Sequence, residues 1–198
     1  YWGVRRFGGK VISGGGLNTE GHIQAIQRLK PTVLISTPTF ALRLASVAQD
    51  MGIDLSESSI RFTMHAGEPG PTALPAMKNA ILKAWGAKNA GELLGIAEID
   101  AFAPCNSLGD GVHVDEMCVY SWVADPATGK QVNEGEIGEH VVTSYTNGTQ
   151  PLLNYRTHDL VKPRYSCPSG RTWLKFEGSV LGRTDYMVTL RGTNIYPT

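Results

Sequence analysis

The chain has 198 residues, of which 41% are hydrophobic, and its 18 basic and 18 acidic residues give a formal net charge of zero. A neutral chain has no electrostatic basis for binding nucleic acid or an anionic membrane surface, and no apolar run approaches the roughly 18 residues that predict a membrane span. Three widely spaced cysteines do not resemble a secreted disulfide framework, so we predict a cytoplasmic protein.

The first half of the chain alternates between strand and helix signals. Short apolar runs bounded by turn residues predict strands over residues 10–12, 32–36, 60–64 and 92–94. Capping and breaking residues, among them Thr19, Pro38 and Gly86, predict helices over residues 19–29, 39–49 and 72–85. Repeated strand–helix–strand units imply a mostly parallel sheet covered by helices.

The second half of the chain is β-rich. Residues 112–123 and 136–145 show alternating patterning, and residues 125–129, Asp-Pro-Ala-Thr-Gly, form a predicted turn between them. We therefore predict an α/β fold: a mostly parallel sheet with covering helices over residues 1–105, followed by a β-rich antiparallel or barrel-like lobe over residues 106–198.

Two polar stretches near the C-terminal end predict a nucleotide site. Residues 155–159 read Tyr-Arg-Thr-His-Asp, and residues 182–185 read Gly-Arg-Thr-Asp, followed by Arg191 and Gly192. An aspartate offers two acceptor oxygens to a vicinal diol such as a ribose, whereas an arginine offers a planar fork to phosphate or carboxylate. Either stretch alone is also compatible with a solvated turn, but the ordered pair favours nucleotide binding.

Two further polar loops follow predicted strands in the first half. Residues 66–69 read Ala-Gly-Glu-Pro, and Glu98 closes a segment that begins at Leu94. Ligands of parallel sheets bind beyond the carboxyl ends of the strands, and both loops fall there. A plain strand-to-helix turn would explain Glu68 equally well, because an acidic residue is favourable near a helix N-terminus.

These motifs together resemble the adenylate-forming superfamily and, within it, the phenylacetate–CoA ligase-like group. Residues 37–40 (Thr-Pro-Thr-Phe), 66–69, 94–98, 125–129, 135–139 (Gly-Glu-Ile-Gly-Glu), 155–159 and 182–185 follow in the order of that group. The resemblance implies an ATP-dependent aryl- or acyl-CoA ligase, which forms an acyl-adenylate and then a CoA thioester. It implies ATP or AMP, Mg²⁺ and CoA as cofactors and co-substrates, and a small, aromatic carboxylic acid as substrate.

The same resemblance assigns roles to individual residues. Glu98 is the catalytic residue and the Mg²⁺ ligand, Asp159 holds the ribose, and Arg183 holds the phosphate or ribose. Asp185 stands at a hinge to a C-terminal domain. The other assignments are the remaining nucleotide-binding residues Gly67, Glu68, Pro69 and Gly95, and the acyl-pocket residues Phe40 and His65.

The chain departs from the group's pattern at several positions. Leu94 replaces a tyrosine that faces adenine, Ala97 replaces a Ser or Thr, and Tyr186 replaces an aspartate after the hinge. The group's lysine-bearing triphosphate loop and its small domain with the catalytic lysine have no counterpart in the sequence, which ends at Thr198. We therefore expect a fragment that is inactive alone.

Cys105, His113 and Cys167 resemble the structural zinc ligands of some members of the group. Thiolate and imidazole ligands suit tetrahedral Zn²⁺, but Ser169 stands where the fourth ligand, a cysteine, is expected. The alternative interpretation is that the three cysteines of the chain are unrelated residues of the core.

Two other functions remain open from the sequence. A relative could adenylate an acid and pass it to a non-CoA acceptor, or the chain could be a non-catalytic nucleotide-binding scaffold of the same fold. The sequence identifies neither the acid nor the oligomeric state, for which a homodimer is one candidate.

Overall fold

The structure is a computed structural model that describes residues 2–145, 148–185, 188–190 and 193–195. Its four α-helices span Trp2–Arg6 (α1), Thr19–Leu29 (α2), Pro38–Asp50 (α3) and Pro75–Trp85 (α4), and a 3₁₀ turn spans Leu55–Glu57. The side chain of Asn18 accepts a hydrogen bond from Gly21 N at 2.8 Å and caps α2. The cap is therefore one residue earlier than the predicted Thr19, since Asn18 has the extended backbone of a capping residue and Thr19 is already the first residue of the helix.

The first sheet has the strand order β1-β2-β3-β4, formed by Val33–Ser36, Phe62–His65, Asn89–Ile96 and Asp100–Pro104. Strands β1, β2 and β3 run parallel, whereas β4 returns antiparallel along β3. Helices α2, α3 and α4 form with this sheet one apolar cluster that includes Ile23, Leu44 and Trp85. On β1, the strand at the edge, Val33 and Ile35 remain 47% and 67% exposed.

The β-rich part begins after β4, and its two larger sheets are antiparallel. The first has the order β5-β10-β9, formed by Gly111–His113, Lys175–Glu177 and Pro163–Arg164. The second has the order β11-β8-β7-β6, formed by Gly182–Arg183, Tyr155–Val161, Gly138–Ser144 and Val119–Ala124. Two further strands, β12 (Val188–Leu190) and β13 (Thr193–Ile195), pair with each other.

A second apolar cluster joins the β-rich part to the first sheet. Phe176, Val142 and Val161 of the antiparallel strands pack in one cluster with Leu94 of β3 and Phe102 of β4. This cluster contains residues from both sides of the predicted division at residues 105 and 106. The division itself stays a prediction.

The predicted fold class is confirmed, with three local corrections. Residues 10–12 form no strand, because they are exposed and no neighbouring strand pairs with them in the described chain. The predicted strand over residues 112–123 is two strands, β5 and β6, which belong to different sheets. Strand β4 was not predicted. Arg191, Gly192 and Tyr186 lie outside the described residues.

No helix in the described ranges combines the length and the apolar character that a membrane crossing requires.

Candidate functional site

A cleft of about 500 Å³ lies between the loops that follow β2 and β3 and the strands β8 and β11. The predicted nucleotide-binding residues and the predicted Mg²⁺ ligand Glu98 line this one cleft; the nucleotide-binding residues are Gly67, Glu68, Pro69, Gly95, Asp159 and Arg183. They come from segments separated by up to 116 positions, and the sheet topology brings them together. Their role as nucleotide ligands stays a prediction.

Asp159 is the carboxylate that β8 contributes to the cleft, and its residue exposure is 6%. It faces Arg183 across the β8–β11 pair, and Arg183 Nη1 donates to Asp159 Oδ1 at 2.9 Å. Arg183 also donates through Nε and Nη2 to the two carboxylate oxygens of Asp185, at 2.9 and 2.7 Å. Burial raises the pKa of Asp159, and the positive charge of Arg183 opposes this rise.

Glu98 lies opposite β8 and accepts a hydrogen bond from the hydroxyl of Tyr155 at 2.7 Å. This hydrogen bond is the main cause that lowers the pKa of Glu98 below its ordinary value of 4.5. Glu98 is therefore ionised throughout the neutral range. An ionised carboxylate at the mouth of a cleft that holds an arginine can bind a cation beside an anionic ligand.

Glu68 makes a contact that its position in the sequence did not reveal. Its Oε1 accepts from the backbone N–H and the hydroxyl of Thr39, at 3.0 and 2.5 Å, and so caps the first turn of α3. Gly67 allows this approach, because its φ of +91° lies in the left-handed region that favours glycine. Glu68 thus anchors the loop of residues 67–69 to α3, which packs against the first sheet.

Glu92 is a buried cleft residue that the sequence analysis missed. It is 4% exposed, and its Oε2 accepts hydrogen bonds from both the backbone N–H, at 3.0 Å, and the hydroxyl of Thr72. A signal was present, since the period of two along β3 places Glu92 on the same face as the buried Ala90 and Leu94. Glu92 and Glu68 therefore hold the two ends of the connection between β2 and α4.

Replacing Glu92 by Gln is expected to stabilise the fold increasingly as the pH rises. Burial raises the pKa of Glu92 above its ordinary value of 4.5, so the folded state disfavours the ionised form. Wild-type stability consequently falls as the pH rises from 4.5 through the raised pKa, whereas Glu92→Gln cannot ionise. Urea unfolding at pH 4.5 and 7.5 measures both free energies of unfolding. A difference between the two proteins that stays constant or shrinks with pH would contradict this assignment.

The predicted acyl-pocket residues Phe40 and His65 line neither the cleft nor the open depression beside it. His65 is fully buried, and burial lowers its pKa. The ring of Phe40 packs edge-on against His22, with 5.3 Å between the ring centroids. An open depression of about 560 Å³ instead adjoins the cleft at Glu98, and its apolar lining includes Ala66, Leu93, Ile96, Ile99 and Ala101.

The three predicted zinc ligands are not grouped around one point. Asn106 Nδ2 lies between two of them, 3.1 Å from His113 Nε2 and 3.5 Å from Cys167 Sγ. The Cys105 sulfur instead faces Gly91, where an added β-carbon would lie 2.5 Å from it. Among the described residues, no three His, Cys, Asp or Glu side chains are close enough together to hold a metal ion.

Comparison with known sequences finds relatives over the whole chain. It is 32% identical over 203 residues to a phenylacetate–coenzyme A ligase of Pseudomonas putida and 33% identical over 202 residues to one of Thermus thermophilus. Each alignment covers 100% of this chain and 44% of the relative, so the chain spans less than half the length of these relatives. No family model matches the chain.

Comparison with solved structures finds the same fold. A 2-hydroxyisobutyryl-CoA ligase in complex with 2-HIB-AMP and CoA superposes with a TM-score of 0.86 at 28% identity, covering 98% of this chain and 44% of that one. An anthranilate–CoA ligase in complex with anthranoyl-AMP shares the fold at a TM-score of 0.66 and 22% identity, covering 96% of this chain and 37% of that one. Over its whole length the chain is therefore similar to part of the phenylacetate–CoA ligases, and it shares the fold of adenylate-forming CoA ligases.

Proposed function

We propose that the protein carrying this chain is an acid–thiol ligase. It activates a small carboxylic acid with ATP, forming an acyl-adenylate and pyrophosphate, and then transfers the acyl group to CoA. The observation that carries this proposal is the pairing of buried Asp159 with Arg183 in the same cleft as ionised Glu98. The similarity to ligases crystallised with acyl-AMP and CoA supports the same reaction class.

In this proposal the nucleotide lies along the cleft. The Asp159 carboxylate accepts hydrogen bonds from the ribose hydroxyls. Arg183 donates hydrogen bonds to the phosphate or ribose, and its contacts with Asp159 and Asp185 already align it for this role. The loop of residues 67–69 and Gly95 border the base. Leu94 lines the cleft as an apolar wall without an aromatic face, which predicts weaker stacking on adenine than a tyrosine would give.

Glu98 is the residue we propose to hold Mg²⁺. Magnesium takes one or two protein carboxylates and completes its shell with water and phosphate oxygens, so a single ionised carboxylate at the cleft fits it. When bound, the ion neutralises charge on the phosphates. Tyr155 holds the carboxylate in place through its hydroxyl.

The acid is proposed to occupy the depression beside Glu98. Its lining by Leu93, Ile96 and Ile99 suits an apolar acyl or aryl group, and its position next to the cleft brings the carboxylate of the acid toward the nucleotide phosphate. This location replaces Phe40 and His65 as the proposed acyl pocket. An aromatic acid is the preferred class by similarity to the phenylacetate–CoA ligases.

Product analysis of the full-length protein tests the proposed function. With ATP, Mg²⁺, CoA and a panel of aryl and short acyl acids, we expect an acyl-CoA together with AMP and pyrophosphate, detected by mass spectrometry. An acyl-adenylate that persists despite CoA would favour the alternative of a non-CoA acceptor. Nucleotide binding without any pyrophosphate would favour the scaffold.

The isolated 198-residue chain is expected to release no pyrophosphate. It spans 44% of its relatives and its sequence contains no Gly-rich loop followed by a lysine for the triphosphate. A coupled pyrophosphate assay on the purified chain, with the same acids and with the full-length protein as the positive control, measures this. Robust acid-dependent release by the chain alone would overturn the expectation.

A structural zinc on Cys105, His113 and Cys167 stays a prediction from the sequence. Binding would require Asn106 to release its hydrogen bonds to His113 and Cys167, and Cys105 to turn away from Gly91. We therefore expect substoichiometric zinc after purification without added metal, measured by mass spectrometry. One zinc per chain that is lost in Cys167→Ser would contradict this expectation.

The predicted homodimer is tested separately by light scattering.

A further inference from the structure

Strand β8 carries a bulge at the residues that border the cleft. Glu139 of β7 pairs with Leu160, but Val141 pairs with Arg156. One residue of β7 therefore faces three residues of β8, namely 157–159. Such a bulge bends its strand and re-aims side chains, and here the third of the three residues is Asp159.

The backbone of this bulge is held by side chains. The N–H of His158 donates to Glu139 Oε1 at 3.2 Å, and the N–H of Asp159 donates to Thr157 Oγ1 at 3.2 Å. The Thr157 hydroxyl in turn donates to the carbonyl oxygen of His140 at 3.1 Å. His158 adopts a φ of +65°, which is an unfavourable conformation for a residue with a β-carbon and persists only where its surroundings fix it.

Glu139 joins both sides of the bulge. Its side chain is fully buried and accepts hydrogen bonds from Arg156, through Nε at 2.8 Å and through Nη2, as well as from the backbone of His158. A buried carboxylate is stable only while such partners remain. Glu139 therefore ties Arg156, before the bulge, to His158 within it. It is the last residue of the 135–139 motif, for which the nucleotide site gave no role.

We propose that Thr157 and Glu139 are positioning residues that hold the β8 bulge so that the Asp159 carboxylate points into the cleft. In the cleft Arg183 Nη1 donates to Asp159 Oδ1, and the orientation of the carboxylate toward a ligand diol also depends on the backbone of Asp159. The Thr157 hydroxyl and the Glu139 carboxylate fix that backbone. This inference rests on the proposed function, in which Asp159 binds the ribose hydroxyls.

A matched pair of variants tests the inference in the full-length protein. Thr157→Val removes the hydroxyl with little change of shape, whereas Thr157→Ser keeps it. Calorimetry gives the dissociation constants for ATP and for 2′,3′-dideoxy-ATP, which lacks the diol. Wild type is expected to prefer ATP by about tenfold or more, because charge-assisted hydrogen bonds to the diol are lost with the analogue. Thr157→Val should reduce this preference at least about threefold, and Thr157→Ser should retain it.

The outcomes separate the inference from the function on which it rests. Equal affinities of wild type for the two nucleotides would contradict the ribose role of Asp159 itself. A wild-type preference that persists unchanged in folded Thr157→Val would overturn the positioning role alone. If Thr157→Val fails to fold, Glu139→Gln decides, since it keeps an acceptor for His158 but loses the charge that holds Arg156. A reduced preference in Glu139→Gln supports the inference, and an unchanged preference overturns it.

Discussion

Replacing Glu98 by Gln in the full-length protein is expected to lower kcat for acid-dependent pyrophosphate release about 100-fold. A single ligand that anchors a phosphate-bound cation contributes on the order of 2.7 kcal/mol of transition-state stabilisation. The neutral amide cannot replace an ionised carboxylate. Because the hydrogen bond from Tyr155 lowers the pKa of Glu98 below its ordinary value, the wild-type carboxylate is charged across the neutral range, and the difference should hold there. Steady-state kinetics with saturating ATP measures it.

Two control variants sharpen the Glu98 experiment. Glu57→Gln changes an exposed glutamate in the connection that precedes β2, whereas the cleft lies beyond the carboxyl end of β2. This variant should leave kcat unchanged. Tyr155→Phe removes one hydrogen bond to Glu98 and should cost about fivefold, since a hydrogen bond contributes about 1 kcal/mol. A Glu98→Gln protein that retains the wild-type kcat would remove Glu98 from the reaction.

Replacing Asp159 by Asn is expected to weaken the binding of AMP or ATP about 10- to 150-fold. The loss corresponds to about 1.5–3 kcal/mol for charge-assisted hydrogen bonds to the ribose hydroxyls. Asn preserves the size of the side chain, and Arg183 keeps Asp185 as its partner, so the cleft retains its shape. Isothermal titration calorimetry of wild type and variant in the full-length protein measures the two dissociation constants.

An aspartate remote from the cleft provides the control. Asp50 lies exposed at the last position of α3, whose first turn borders the site, so the length of the helix separates the two. Asp50→Asn should bind the nucleotide as tightly as wild type. Identical affinities of Asp159→Asn and Asp50→Asn would exclude Asp159 from ribose recognition.

The fold was predictable where local chemistry decides it. Thr37 and Pro38 begin α3, and Gly86 ends α4 with a φ of +57°, where an added β-carbon would lie 2.2 Å from the carbonyl oxygen of Ser56. Such residues act through their own backbone, so their effect can be read from the sequence. The parallel order of β1, β2 and β3 followed from the helices that connect them.

The rest of the site depends on contacts between distant segments. Glu68 meets Thr39, 29 positions away, and Glu92 meets Thr72, 20 positions away, and neither pair has a local signature. The β8 bulge was equally hidden, because it exists only in the register between β7 and β8. The zinc hypothesis rested on the resemblance of Cys105, His113 and Cys167 to zinc ligands of the family, whereas the placement of Asn106 between His113 and Cys167 depends on the tertiary fold.

Exchange of labelled pyrophosphate into ATP by the full-length protein, without CoA, tests the central claim most directly. Reversible acyl-adenylate formation predicts that label enters ATP only when a carboxylic acid substrate and Mg²⁺ are present, and that Asp159→Asn slows the exchange at subsaturating ATP. Exchange that is independent of any acid, or cleavage of ATP to ADP and phosphate in the presence of the acid, would contradict the account.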